Sequence, residues 1–90
     1  MLEGTVKVIN PLGLHARAAA QLVKLAGRFK SRITIKRPDN SAFADVKSML
    51  SVLTLAASVS TVLDLTVTGK DETDAFAAIC DLFNSGFGEI

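Results

Sequence analysis

The chain's single histidine, His15, is its one side chain that is ordinarily part protonated and part free base near neutral pH. By itself a lone histidine is an ordinary surface or core residue. Its neighbours change that reading, because His15 follows Gly13-Leu14 where a loop passes into a helix, and Arg17 lies two residues on. Backbone N–H groups at a helix start have no partner inside the helix, so they can receive anion oxygens, and the helix dipole adds a modest favourable contribution. An unprotonated imidazole is a nucleophile towards an activated phosphoryl group. A guanidinium grips phosphate oxygens in a two-pronged geometry that lysine cannot reproduce, and phosphoryl transfer asks chiefly for positioning and charge stabilisation. Alone, Arg17 would be a solvated helix residue; beside His15 it becomes the second candidate for phosphoryl chemistry.

The elements that must hold this pair follow from periodicity. Thr5-Val6-Lys7-Val8-Ile9 alternates with a period of two, which predicts a strand burying Val6 and Val8, and Asn10-Pro11-Leu12-Gly13 breaks it into a loop. From Ala16 to Phe29 the apolar residues Ala18, Leu22, Leu25, Ala26 and Phe29 recur at threes and fours, an amphipathic helix with Gly27 near its end. Arg32-Ile33-Thr34-Ile35-Lys36 alternates again, Pro38-Asp39-Asn40-Ser41 turns the chain, and Ala42-Phe43-Ala44 supplies the short second arm of a hairpin. Val46, Met49, Leu50 and Leu53 make one face of a short helix over roughly Lys47 to Leu55. Val62 to Thr68 is the clearest strand, ending at Gly69. Asp71-Glu72-Thr73-Asp74 then favours a helix start, with Phe76, Ile79, Leu82 and Phe83 as the buried stripe and a stop by Ser85-Gly86.

The element order is βαββαβα. Both strand-to-helix-to-strand crossovers are too long for hairpins, so an α+β open-faced sandwich is expected: a split βαβ sheet with helices on one face. The alternation of Lys7, Thr34, Lys36, Asp64 and Thr66 with apolar residues permits water on the other face.

The short helix poses a separate question. Ser48, Ser51 and Thr54 are spaced by three, and a serine at Ser48 suits a helix N-cap. Val52 and Leu55 fall outside the stripe of Val46, Met49, Leu50 and Leu53, so the helix is too apolar for one buried face. Either a small domain buries it on several sides, or part of it is a docking surface.

Composition narrows the classes. Ninety residues at 49% apolar content make one domain, residues 1–90, with one modest core. Ten Lys plus Arg against nine Asp plus Glu give no long-range basic field for nucleic acid. Cys80 has no internal partner for a disulfide and falls where the last helix would bury it, which fits a reducing compartment. With no signal-peptide pattern and no stretch of membrane-spanning length, a cytoplasmic protein is expected, without direct membrane insertion. No metal-ligand cluster and no paired carboxylates around a nucleophile are present, so neither a metal, a cofactor nor autonomous catalysis is expected.

Gly13-Leu14-His15-Ala16-Arg17-Ala18-Ala19 resembles the histidine loop of the HPr family, the histidine-containing phosphocarriers of the phosphoenolpyruvate-dependent sugar phosphotransferase system. Lys47-Ser48-Met49-Leu50 resembles the family's second signature, and Gly69-Lys70-Asp71-Glu72 the turn into its last helix. The resemblance implies a four-stranded antiparallel sheet covered on one face by three helices. It implies that His15 accepts a phosphoryl group at Nδ1 from phosphorylated enzyme I and passes it to the A domain of a sugar permease, the chain being a stoichiometric, monomeric carrier and not an enzyme. It also implies a docking patch, for which Ala20, Lys24, Met49, Leu50 and Leu53 are candidates, and regulation at Ser48 by an HPr serine kinase/phosphorylase. Where the family usually has proline, this chain has Ala18, which gives up a pre-set first-turn angle for the best helix former.

Two other functions fit the same features. One is a carrier in the nitrogen-related regulatory branch; the other is a regulatory binding module that carries no phosphate, which would not need His15 beside Arg17. A plain ligand-binding α+β domain fits less well, since Gly13 stands alone without a glycine-rich cradle.

Overall fold

The computed structural model describes residues 1–90. Four strands, β1 (Leu2–Lys7), β2 (Arg32–Lys36), β3 (Phe43–Asp45) and β4 (Val62–Thr68), alternate with three helices, α1 (Ala16–Ala26), α2 (Met49–Thr54) and α3 (Glu72–Asn84), and a 3-10 turn at Gly86–Gly88 follows. The strands form one antiparallel sheet in the order β1-β4-β2-β3. Each helical crossover thus skips a place in the sheet, and only β2 and β3 are joined as a hairpin, as the loop lengths required.

Period-two alternation turns Val6, Ile33, Ile35, Ala44, Leu63, Leu65 and Val67 to one face, where all are buried. Against them α1 sets Ala18, Ala19, Leu22 and Ala26, and α3 sets Ala75, Ile79 and Phe83. The opposite face keeps Lys7 and Lys36 exposed and Thr34, Asp64 and Thr66 half-buried. The sandwich is therefore open on one side.

Several boundaries differ from the periodic reading. β1 begins at Leu2 and ends at Lys7 because β4 pairs it from Leu2↔Val67 to Lys7↔Val62. Val8 continues the contact by bonding to Thr61 and Ser60, outside the ladder. α1 stops at Ala26, with the amides of Arg28 and Phe29 reaching back three residues to Leu25 and Ala26, so Leu25 and Phe29 are only half-buried. β3 is shifted one residue, its hairpin closed by Arg37 N–H donating to Ala42 O at 2.7 Å. Cys80 is half-buried instead of buried; its thiol is unpaired and pushed up by desolvation, with Asp81 adding to the shift.

The second helix is shorter than read, Met49 to Thr54, and its face is inverted. Val52 and Leu55 are the buried residues, together with Val46 before the helix, whereas Leu50 is 74% and Leu53 36% exposed and Met49 half-buried. With apolar residues at 49, 50, 52, 53 and 55, two stripes satisfy a 3.6-residue period over six residues, and tertiary packing against α1 and β3 chooses between them. Arg37 fixes the choice from below by donating to Leu55 O at 2.9 Å and Ala56 O at 3.1 Å at the helix C-terminus.

Candidate functional site

His15 is placed by the loop before it. Asn10 is fully buried and donates through Nδ2 to Gly13 O at 2.8 Å, while Gly13 N–H returns to Asn10 O at 3.1 Å. Gly13 sits at φ +68°, and a Cβ there would lie 2.6 Å from Ala57 O, so this turn accepts only glycine without strain. Leu14 is buried and donates to the same Ala57 O at 2.9 Å. The turn and this anchor deliver His15 in an extended conformation, φ −74° and ψ 178°, as the N-cap of α1. Ala18 lies buried in the first turn of α1.

The two ring nitrogens have different partners. Nδ1 accepts from Arg17 N–H at 3.3 Å, and Nε2 is bonded to Glu89 Oε2 from the far end of the chain. A carboxylate can only accept and a backbone N–H can only donate, so both contacts require the same tautomer: the proton on Nε2 and a lone pair on Nδ1. Glu89 also accepts from Asn10 Nδ2 at 3.2 Å. Its carboxyl is held below the usual carboxylate range, by the bond to His15 first and then by Asn10 and the charges of His15 and Arg17, against a desolvation cost.

The ring is 27% exposed, enough for a partner to reach it. Ala19 N–H closes the first helical bond to His15 O at 2.8 Å, leaving the amides of Ala16 and Ala18 without a partner inside the helix. The Arg17 side chain is exposed, with its charge near the site. A lone pair on Nδ1, the donors of a helix start and the exposed Arg17 side chain are thus gathered around the imidazole. A surface concavity lies elsewhere, on the open sheet face around Thr34, Phe43, Asp64 and Thr66.

Ser48 is the N-cap of α2, its Oγ accepting from Ser51 N–H at 3.3 Å, and no bond joins it to His15. Ala20 and Lys24 are exposed on α1, and Leu50 and Leu53 on α2, which packs against α1. Sequence reasoning missed Leu12, 71% exposed, and Val59, 45% exposed, on two loops joined through the Leu14–Ala57 bond. It also missed Glu89 and Asn10. An asparagine before Pro-Leu-Gly reads as a turn residue, and nothing local connects an acid to a histidine 74 positions away.

The family model for the PTS HPr component phosphorylation site matches residues 2–85. The phosphocarrier protein HPr of Neisseria meningitidis serogroup A is 39% identical over 89 residues, covering 99% of this chain and 98% of that protein. That of Cupriavidus necator is 42% identical over 89 residues with the same coverage. Among solved structures, HPr-C-His from Thermoanaerobacter tengcongensis superposes with a TM-score of 0.93 at 37% identity, covering 100% of this chain and 99% of that one. An HPr dimer from the same organism gives a TM-score of 0.77 at 37% identity, covering 99% and 100%. Similarity of this extent, running through the sequence and the fold alike, makes the chain a member of the HPr family, the phosphocarrier proteins of the phosphotransferase system.

Proposed function

We propose that Nδ1 of His15 receives a phosphoryl group from phosphorylated enzyme I and hands it to the A domain of a sugar permease. The observation that carries this reading is the pair of ring contacts: with Nε2 bonded to Glu89 and Nδ1 accepting from Arg17 N–H, Nδ1 presents its lone pair at the start of α1. In the accepting step that lone pair forms the new N–P bond as the donor's bond to phosphorus breaks. The Arg17 N–H then loses its acceptor and is free for a phosphoryl oxygen, beside the amides of Ala16 and Ala18, and the Arg17 guanidinium can swing in to share the charge. The reverse sequence releases the group to the next partner. The chain acts as a substrate of partner phosphotransferases in the cytoplasm.

Docking falls to the exposed Leu50 and Leu53 with Met49, Ala20 and Lys24, joined by Leu12 and Val59. A small apolar patch of this kind suits rapid, reversible contact. Ser48 is the regulatory position of this reading. Phosphorylation by an HPr serine kinase/phosphorylase would add about two negative charges beside the patch and disfavour docking more than folding. We propose a monomer as the working form; sedimentation at working concentration checks this against the dimer of the Thermoanaerobacter relative.

Incubation with phosphoenolpyruvate and enzyme I is expected to give an acid-labile adduct that disappears in His15→Ala. Unmodified wild-type protein, beside a control carrier that is labelled, would overturn the proposal. For Ser48, kinase and ATP are expected to give an acid-stable adduct lost in Ser48→Ala.

A further inference from the structure

Past α3 the chain does not trail away. Gly86, Phe87 and Gly88 take φ values of +62°, +55° and +74°, three positive values in succession within a tight turn, with Phe87 at ψ 27° in the left-handed region. Left-handed backbone is unfavourable for phenylalanine, and here two contacts hold it. The Phe87 ring is buried edge-on against Phe83 with centroids 5.0 Å apart, and Gln21 Nε2 of α1 donates to Phe87 O at 3.2 Å. The turn closes through Gly88 N–H to Ser85 O at 3.2 Å and Glu89 N–H to Gly86 O at 3.0 Å. Its outcome is to set the Glu89 side chain, 15% exposed, against Nε2 of His15, with the buried Asn10 amide steadying the second carboxylate oxygen. Strain held in place by packing, next to a reactive group, is characteristic of a functional device.

We propose that Glu89 is a positioning residue for His15: its carboxylate keeps the ring proton on Nε2 throughout the phosphoryl cycle. This rests on the phosphocarrier reading and adds to it a residue and a charge balance. In the free carrier the fixed proton leaves Nδ1 as the one nucleophilic nitrogen. When Nδ1 bonds to phosphorus, the Nε2 proton stays and the ring becomes a cation paired with the Glu89 anion. When the group departs, the N–P electron pair returns to Nδ1 and the leaving group is a neutral imidazole. Without the Nε2 proton it would be an imidazolate, a much poorer leaving group. No proton enters or leaves the ring at either step. The charged side chain acting on Glu89 in the free carrier is Arg17; the His15 ring adds its charge only when it is cationic, and Asn10 contributes a neutral donor.

The test uses the full chain and separates this claim from the carrier reading. Nitrogen-15 NMR of the unphosphorylated protein reads the tautomer directly. The wild type is expected to show a protonated Nε2 and a pyridine-like Nδ1. Glu89→Gln, whose carbonyl can still accept, is expected to keep that pattern, and Glu89→Ala to show averaging between the two tautomers. A phosphoryl adduct is then made chemically with phosphoramidate, without any partner protein, and its hydrolysis followed against pH. Loss of the carboxylate in either variant is expected to lower the midpoint of that profile by about one pH unit, so that near neutrality the variant adducts outlive the wild-type adduct several-fold. A wild-type ring protonated on Nδ1, or profiles that superimpose for wild type and Glu89→Gln, would overturn the proposal. Should enzyme I and phosphoramidate both leave the wild type unmodified, the carrier reading fails, and the tautomer still decides the role of Glu89.

Discussion

Both sides of the His15 ring are arranged by residues whose own positions are fixed by backbone needs. Gly13 shows how narrow that tolerance is. Gly13→Ala places a Cβ against Ala57 O at a positive φ, and is expected to cost about 1–3 kcal/mol, measured by denaturant unfolding, and to slow phosphoryl transfer by displacing His15. Arg17 contributes differently, since its side chain is free in the resting protein. Arg17→Ala is expected to lower the transfer rate by about 10²-fold with little change in thermal stability, and Arg17→Lys to recover only part of the loss because an ammonium cannot grip two oxygens at once. The His15–Arg17 pair was visible in the sequence, as two functional side chains at a helix start. Asn10 and Glu89 were not: their roles depend on a burial and a long-range contact that no periodicity records.

The elements around the site carry their own electrostatics. Asp71 stands before α3 but does not cap it; its carboxylate accepts from Lys30 N–H at 2.8 Å, Ser31 N–H at 2.9 Å and Ser31 Oγ at 2.5 Å, tying the start of α3 to the start of β2. Its carboxyl is lowered from the ordinary 3.8, by Ser31 first and then Lys30. A carboxyl lowered on folding stabilises the fold above its unfolded value, and that stabilisation is lost as pH falls through the folded value. The melting temperature of the wild type is therefore expected to fall more steeply than that of Asp71→Asn below about pH 4, from a higher starting point. In α2, Ser48→Ala removes the cap and is expected to cost about 1 kcal/mol, so any effect of that variant on docking has to be judged at matched stability. The acidic start of α3 and the serine cap of α2 were both readable beforehand. The buried face of α2 was not, because Met49-Leu50-Leu53 and Val52-Leu55 offer two stripes and only the contact with α1 and β3 selects one.

For the chain as a body, the crossover lengths made a split βαβ sheet legible in the sequence, but the place of each strand was not: β4, which alternates from Val62 to Thr68, takes a central place with β1 and β2 on its flanks only through pairing with them. Strand ends were less readable, since Glu3-Gly4 hides the start of β1 until β4 is seen beside it. The same packing leaves Leu50 and Leu53 in solvent near the helix that carries His15. Leu50→Asp is expected to leave the fold's stability within about 0.5 kcal/mol while raising the concentration of carrier needed for half-maximal phosphorylation by enzyme I. All of this converges on one atom. Phosphorus-31 NMR of uniformly nitrogen-15-labelled carrier after reaction with phosphoenolpyruvate and enzyme I would identify it. Coupling of the new phosphorus signal to Nδ1 of His15 is the expected result. Phosphorus coupled to Nε2, or a phosphoryl signal that persists in His15→Ala, would contradict it.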